Sequence, residues 1–596
     1  MTLTELFDRS IATHPRGAAL VLWTPKYART LSSADLAAKV ARVAAGLSAL
    51  GVRKGDRVLL ISENRPEWAV VDYATMFAGG ILVPVYVSLT APQLNYILAN
   101  SGAKIAVASS QELLDKLLSA ATGLTNLGQV IVMDEAAAAP DVMHLDSVAA
   151  MGDDVLAKSP GAWREPASHV RDEDVATIIY TSGTTGPPKG VMLSHGNLTS
   201  NVEALTGVLD FRPSDSALSF LPLCHVTQRI ADYCYFHRGA SITYVRIEDL
   251  GAGLTQVRPT TFPGVPRIFE KARDAILAKV SHKAAPERAL FRWALQVGRE
   301  LGRCRTEGRV PDAGLKLRHA VADRLVLSRI REGLGGRLRF VVCGGAPLNR
   351  EVMEFFLGAG VPILEGYGLT ESTVLCINTE ARPRPGTVGP PLPGVVLRIE
   401  EDGEILIQGP GVARGYYLDI KRTEETFGGG WLKTGDLGRL DEDGNLVITG
   451  RKKELLVTSG GKKISPALIE QEILTDQLVS QVVLVGDGRK HVSALVVPDR
   501  LRLTDWCRQR GLPAGNHATF EQVLTVPEVR DLYGGIIDRC NRSLSRYEQI
   551  KKFVLIPTEL TLEGGELTPT LKVKRRVVEE KYRDLIDTLY KDTREE

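Results

Sequence analysis

None of the seven cysteines (Cys224, Cys234, Cys304, Cys343, Cys376, Cys507, Cys540) falls in a Cys-x-x-Cys pair. That argues against a structural zinc and for reduced, mostly buried thiols in a cytosol-like compartment. The opening "MTLTELFDRSIATHP" lacks a basic block followed by an apolar one, so no export signal is expected. The longest apolar run, "WAVVDYATMFAGGILVPVYV", is interrupted by Asp72, Gly79, Gly80 and Pro84 and reads as a helix, a turn and a buried strand, not a membrane span. Neither charge dominates, with 73 basic against 71 acidic residues and a formal charge of +2. Aromatic residues are only 6% of the chain and are not interleaved with basic runs, which leaves nucleic acid unsupported as a partner. Internal repeats are also missing.

What is present is alternation. "RVLLIS", "RPEWAVVDYATMFAG", "ILVPVYV", "APQLNYILANSG" and "KIAVAS" alternate strand and helix as parallel α/β sheets do, and "SITYV" and "RFVVCGG" continue the pattern. After about residue 380 short glycine-separated strands take over ("GEILIQG", "GNLVITG"), and "QVVLVGDGRKHVSALVVPD" reads as a hairpin. The expected fold is α/β: a large domain over 1–450, made of layered sheets plus a small β-rich part, followed by a smaller α+β domain over 451–596. Residues 271–339 carry 17 basic against 7 acidic side chains, a net +10, so the rest of the chain is acidic. Helical spacing in "PERALFRWALQVGRELGRCR" suggests a solvated helical insertion, or else a surface for anionic lipid head groups.

Between "VATIIY" and "GVMLS" lies "TSGTTGPPKG". It fails as a P-loop: counted from Gly183, the second glycine position holds Pro188, and Lys189 is followed by Gly190 instead of Ser or Thr. Both flanks read as strands, so the element is strand, loop, strand. An anion site is still physically reasonable there. Ser182, Thr184 and Thr185 offer hydroxyls, Gly183 and Gly186 let main-chain N–H groups approach, and Lys189 adds charge. A plain Gly/Pro turn fits the composition equally well.

Other constellations add to this. "VVCGGAPL" ends a strand at Gly344, Gly345 and Ala346, where a flat ring could lie on the backbone. "EGYGLTES" (Glu365, Gly366, Tyr367, Gly368, then Thr370 and Glu371) offers an aromatic face, a hydroxyl for phosphate and a carboxylate for Mg²⁺. "WLKTGDLG" sets Asp436 on what reads as a tight turn, able to accept both hydroxyls of a ribose. Singly each is weak; in this order they are not.

With "GRKKELLVTSGGKKISPALIE" and "ELTPTLKVKRR" added, the chain resembles the AMP-forming acyl-CoA synthetases of the adenylate-forming superfamily, which includes firefly luciferase and the adenylation domains of peptide synthetases. "RPTTFPGVPRIFEK", "LPLCHVTQRI" and "TPTLK" are most similar to bacterial long-chain fatty acid ligases, which share the lack of Ser-Gly before the last lysine. The resemblance implies a fatty acid activated with ATP and Mg²⁺ to an acyl-adenylate and passed to coenzyme A. It implies that the loop from Thr181 to Lys189 holds the β- and γ-phosphates, that Gly344 to Ala346 and Tyr367 hold adenine, and that Glu365, Gly366 and Gly368 also belong to the cofactor site. Thr370 would meet the α-phosphate, Glu371 the Mg²⁺, and Asp436 with Arg451 the ribose. Lys572 would bridge carboxylate and α-phosphate, Lys453 would be a hinge, and Gly460 and Gly461 would admit the pantetheine arm. His225 and Arg229 would sit near the entrance of the acyl pocket. Another acid, a carrier-protein acceptor, or a non-catalytic relative stays open, and the sequence is silent on oligomeric state.

Overall fold

The computed structural model describes residues 1–181, 187–513, 518–561, 563–567 and 573–591. It divides into two compact units: Met1–Arg398 with Leu406–Thr434 and Leu440–Val447, and Ile399–Ile405 with Gly435–Arg439 and Ile448–Glu596.

The first unit is organised by a seven-stranded sheet. Its strands are β3 (Arg57–Ile61), β4 (Ile81–Val85), β5 (Ile105–Ala108), β6 (Gln129–Val132), β7 (Val142–His144), β8 (Val175–Thr181) and β9 (Lys189–Ser194), in the spatial order β7-β6-β5-β3-β4-β8-β9. All neighbours are parallel except β9, which returns antiparallel to β8. Strand alternation feeds two cores. Val58 and Leu60 of β3 point into one apolar cluster, while Leu59 and Ile61 point into the other. Burial on both faces is why these strands read as continuous apolar runs.

A second sheet is ordered β10-β11-β1-β2, from β1 (Leu20–Trp23), β2 (Ala28–Leu31), β10 (Ser216–Ser219) and β11 (Ser241–Tyr244). A third is ordered β12 (Pro263–Gly264), β13 (Val341–Cys343), β14 (Ile363–Leu369), β15 (Thr373–Ile377), and a fourth β16 (Val396–Ile399), β17 (Glu404–Gln408), β18 (Leu432–Leu440), β19 (Leu446–Arg451). In the second unit β20 (Leu456–Val457) pairs with β21 (Lys463–Ile464). There β22 (Val479–Val485) and β23 (Val492–Pro498) form the expected hairpin, and β24 (Ile550–Leu555) joins β23 in parallel.

The apolar run that could have been mistaken for a span is helix α1 (Pro66–Phe77) followed by β4. Every residue of α1 except Glu67 is buried, as befits a helix apolar on all sides. No helix among the described residues is long and apolar enough to cross a membrane. The other helices used below are α2 (Ala91–Ser101), α3 (His195–Val208), α4 (Val226–His237), α5 (Pro266–Ser281), α6 (Ala285–Thr306) and α7 (Arg350–Gly358). All seven cysteines are free and buried.

The basic segment is helical, but it is not simply solvated. Helix α6 buries Phe291, Ala294, Leu295, Val297, Gly298, Gly302 and Cys304 against a core that includes Phe355 and Phe356 of α7. A groove of about 850 Å³ runs beside it, with Leu277, Val280, Phe291 and Leu295 among its apolar lining and Arg288, Arg292, Arg299 and Arg303 among its polar lining.

Arg229 corrects an expectation. It does not stand at a pocket entrance; it is fully buried. Its guanidinium pairs with Asp72 of α1, donates to the Tyr233 hydroxyl (2.8 Å) and donates to Thr177 Oγ1 of β8 (2.8 Å). Tyr233 in turn donates to Asp72 Oδ2 (2.6 Å), so the network satisfies itself and staples two helices to the sheet. Arg229→Met leaves Asp72 buried without its cation, and we expect a loss of about 3–5 kcal/mol in stability, read as a lower midpoint in urea unfolding followed by intrinsic fluorescence.

Candidate active site

The antiparallel return of β9 sets Thr181 opposite Lys189 in register. The strand, loop, strand reading therefore holds for the two strands. Ser182, Gly183, Thr184, Thr185 and Gly186 lie outside the described residues.

The free edge of β9 is occupied by a ribbon from Ala413 to Tyr417. Met192 N–H donates to the Gly415 carbonyl (3.0 Å), Arg414 N–H to the Met192 carbonyl (3.0 Å), and Tyr417 N–H to the Gly190 carbonyl (2.7 Å). At its other end Ala413 N–H donates to the Glu371 carbonyl (2.8 Å). Asn197, in the capping box that starts α3, donates from Nδ2 to the carbonyls of Pro410 (2.6 Å) and Val412 (2.9 Å). Gly415 is required in the ribbon: its φ is +134°, and a Cβ there would stand 2.5 Å from Thr423 Cγ2.

The ribbon brings three side chains together. The Tyr416 hydroxyl donates to Glu371 Oε1 (2.8 Å) and accepts from Lys189 Nζ (3.1 Å), whose ammonium also lies 4.4 Å from the centre of the Tyr416 ring. Lys189 and Glu371 are 3.9 Å apart. Burial, and then the Glu371 charge, push the Tyr416 hydroxyl well above its usual pKa. Tyr416 was missed in the sequence; its only local signal is the Gly-Tyr-Tyr step a few residues after "GEILIQGP".

Beside this cluster in the chain, β13 and β14 run parallel with Cys343 opposite Glu365. Their carboxyl ends lie side by side, the position where α/β sheets place ligands. Gly344 N–H donates to the Gly264 carbonyl (3.2 Å), and a Cβ on Gly344 would meet the Gly366 carbonyl at 3.5 Å. Gly345 turns the chain with φ +83° and Ala346 is exposed. Tyr367 is half-buried at a register shift before Gly368, and Thr370 is buried. Two residues after Glu371, Thr373 holds φ +59°, a strained state for a β-branched residue.

Glu365 is more than a strand residue. Oε1 accepts the Leu348 N–H (2.9 Å), tying the 344–348 turn to β14, while Oε2 is buried with no hydrogen-bond partner. Burial pushes this carboxyl up to about 7.

In the second unit Asp436 is not on a tight turn. It lies inside β18, buried, with Arg451 Nε at the end of β19 2.8 Å from its Oδ1. Lys453 is exposed in the short helical turn Lys452–Glu454, and Gly460 and Gly461 make the turn between β20 and β21. His225 caps α4, its Nδ1 accepting the Thr227 N–H (3.3 Å). Lys572 lies outside the described residues. Among the described residues no group of three or more His, Cys, Asp or Glu could hold a metal. A single carboxylate, Glu371, beside a cation suits Mg²⁺, which binds one or two carboxylates plus substrate phosphates and keeps several waters.

Residues 7–417 match the family described as AMP-binding enzyme, and residues 453–594 match the AMP-binding enzyme C-terminal domain. The chain belongs to the AMP-binding enzyme family. This AMP-binding enzyme is 36% identical over 575 residues to the long-chain-fatty-acid–CoA ligase FadD15 of Mycobacterium tuberculosis, covering 94% of this chain and 92% of that one. It is 32% identical to the peroxisomal long chain acyl-CoA synthetase 7 of Arabidopsis thaliana, over 92% and 80% of the two chains. Among solved structures it is similar to ATP-bound MatB from Rhodopseudomonas palustris (TM-score 0.69, 25% identity, 98% and 100% covered). A Mycobacterium tuberculosis fatty acyl CoA synthetase shares the fold (TM-score 0.62, 23% identity, 98% and 99% covered).

The Glu365 carboxyl gives a stability test. As pH rises through the usual carboxylate range the unfolded chain releases this proton, while the folded chain keeps it to about pH 7. The contribution of this group to stability therefore falls across that window, by about 3 kcal/mol, and is level above it. Glu365→Gln keeps an acceptor for Leu348 and removes the titration, so the difference in unfolding midpoint between variant and wild type should grow in favour of the variant from pH 5 to pH 7, measured by calorimetry.

Proposed function

We propose that this AMP-binding enzyme is a long-chain fatty acid CoA ligase. It activates a fatty acid with MgATP to an acyl-adenylate, releasing pyrophosphate, and transfers the acyl group to coenzyme A, releasing AMP. The names of its relatives support the acid class. The observation that carries the site is the ammonium of Lys189 held beside the carboxylate of Glu371 at the exit of a glycine loop. One group suits phosphate oxygens and the other suits the metal that accompanies them.

A carboxylate attacking a phosphate brings two anions together, so catalysis rests on position and on charge neutralised by preorganised groups. In this reading Thr181, Lys189 and the loop between them take the β- and γ-phosphates. The ends of β13 and β14, with Tyr367 as a stacking face, take adenine. Thr370 meets the α-phosphate, and Asp436 with Arg451 takes the ribose. Mg²⁺, held by Glu371, would neutralise the phosphate charge. Lys572 bridges acid and α-phosphate during adenylation. A domain over 451–596 then turns about Lys453 relative to one over 1–450, withdrawing Lys572 and presenting Gly460 and Gly461 to the pantetheine arm. His225 is assigned to the acyl side.

The groove beside α6 fits anionic membrane lipid, with apolar walls for acyl chains and four arginines for head groups. That reading puts the enzyme in the cytoplasm, peripheral on the inner face of the membrane. Binding to phosphatidylserine vesicles should then weaken steeply as salt rises above physiological strength, where screening acts within about 8 Å. Equal sedimentation with neutral and anionic vesicles would remove this partner.

The function is tested by nucleotide release with fatty acids of graded length, with and without coenzyme A; ADP as product would overturn it. Lys572→Ala should slow adenylate formation by about 10² to 10³-fold and leave thioester formation from pre-made acyl-adenylate nearly unchanged. Lys453→Pro should do the reverse, because a fixed φ at the hinge blocks rotation.

A further inference from the structure

Gly435 is an irregular point of β18. Its φ is +71°, in the left-handed region, although a Cβ there would meet nothing within 4 Å. The backbone conformation calls for glycine, not the space around it, and a glycine inside a strand marks a break in the regular ladder. The Gly435 N–H donates to a side chain, Glu404 Oε1 at the start of β17 (3.1 Å). The next residue is Asp436, whose carboxylate meets Arg451 (2.8 Å).

The other member of that pair stands where its strand stops. Arg451 is the last residue of β19 and its side chain is 41% exposed, a place where strands fray. The residue that follows it is anchored. Lys452 Nζ lies 2.7 Å from Glu404 Oε2 and 2.6 Å from Asp402 Oδ2. Asp402 Oδ1 accepts the Glu404 N–H (3.1 Å), so each carboxylate gives one oxygen to the main chain and the other to the ammonium. Glu404 is buried and is the fixed part of this network, whereas Lys452 and Asp402 are about half exposed and their contact adds little to stability. One buried carboxylate thus holds both the residue before Asp436 and the residue after Arg451.

We infer that Glu404, acting through Gly435 and Lys452, is a positioning residue that sets the Asp436–Arg451 pair for the ribose hydroxyls before the nucleotide arrives. This rests on the ribose role given above to Asp436 and Arg451. Two hydroxyls on neighbouring ring carbons ask a carboxylate to present both oxygens in one direction, and a different rotamer loses them. A strand broken at a glycine leaves that direction open, and the bond from Gly435 to Glu404 selects one. Lys452 does the same for the strand end that carries the guanidinium. Loss of this clamp weakens the ribose contacts, while adenine and phosphates, assigned above to other segments, keep theirs.

The test compares MgATP with its 2′,3′-dideoxy analogue by calorimetric titration in the absence of fatty acid. In Glu404→Gln and in Lys452→Met the affinity for MgATP should fall by about 5- to 20-fold and that for the analogue by about twofold or less. Lys452→Arg keeps the cation and should stay within about threefold of wild type for both. Because Lys452 is exposed, its variants decide the matter even if Glu404→Gln does not fold. In an Asp436→Asn background the effect of Lys452→Met on MgATP affinity should shrink to about twofold or less. The inference is overturned if Lys452→Met weakens both nucleotides alike, if it weakens neither, or if its effect is as large in the Asp436→Asn background. Asp436→Asn alone separates the two levels of argument. If it leaves the preference for ATP over the analogue as in wild type, the ribose role fails and the inference with it. If it removes that preference while Lys452→Met keeps it, only the inference fails.

Discussion

The antiparallel pairing of β9 to β8, on the edge of an otherwise parallel sheet, is the contact from which the cluster of Lys189, Tyr416 and Glu371 in the first unit is built. A parallel neighbour would have needed a crossover; the antiparallel one needs only a loop, and so puts Thr181 and Lys189 face to face at its mouth. The return also leaves β9 as an edge strand with unpaired N–H and C=O groups. The ribbon Ala413–Tyr417 satisfies them, and in doing so imports a side chain from more than two hundred positions away to bridge Lys189 and Glu371. One backbone requirement, closing a sheet edge, thus assembles a charged cluster.

Charge is treated differently at three depths. Arg229 and Asp72 are fully buried and fully paired, which makes them a staple between α1, α4 and β8 and takes them out of the chemistry. Lys189 and Glu371 are partly buried and meet at 3.9 Å, with the Tyr416 hydroxyl bonded to both. The arginines beside α6 line an open groove, where their interactions are weak and screened individually and matter only as a field. The same residue type therefore serves structure or recognition according to what surrounds it.

The sequence alone was enough for the alternating strands and helices, the hairpin Val479–Pro498 and the strands on both sides of the glycine loop, because each is encoded by local periodicity and turn residues. It was enough, through its ordered motifs, for the family. It misread Asp436, since Gly-Asp suggests a turn and only the pairing of neighbouring strands makes it the buried acceptor of Arg451. Through the resemblance it set Arg229 near the acyl pocket entrance, and it gave no sign of the buried partner, Asp72, which is 157 positions earlier. Tyr416, with only the Gly-Tyr-Tyr step to mark it, and the unpartnered oxygen of Glu365 were not read from the sequence. Local pattern reports which face of a strand or helix is apolar. Which side chains end up within 3 Å of one another is set by strand order and by edge pairing between distant segments, and that is decided only when the chain has folded.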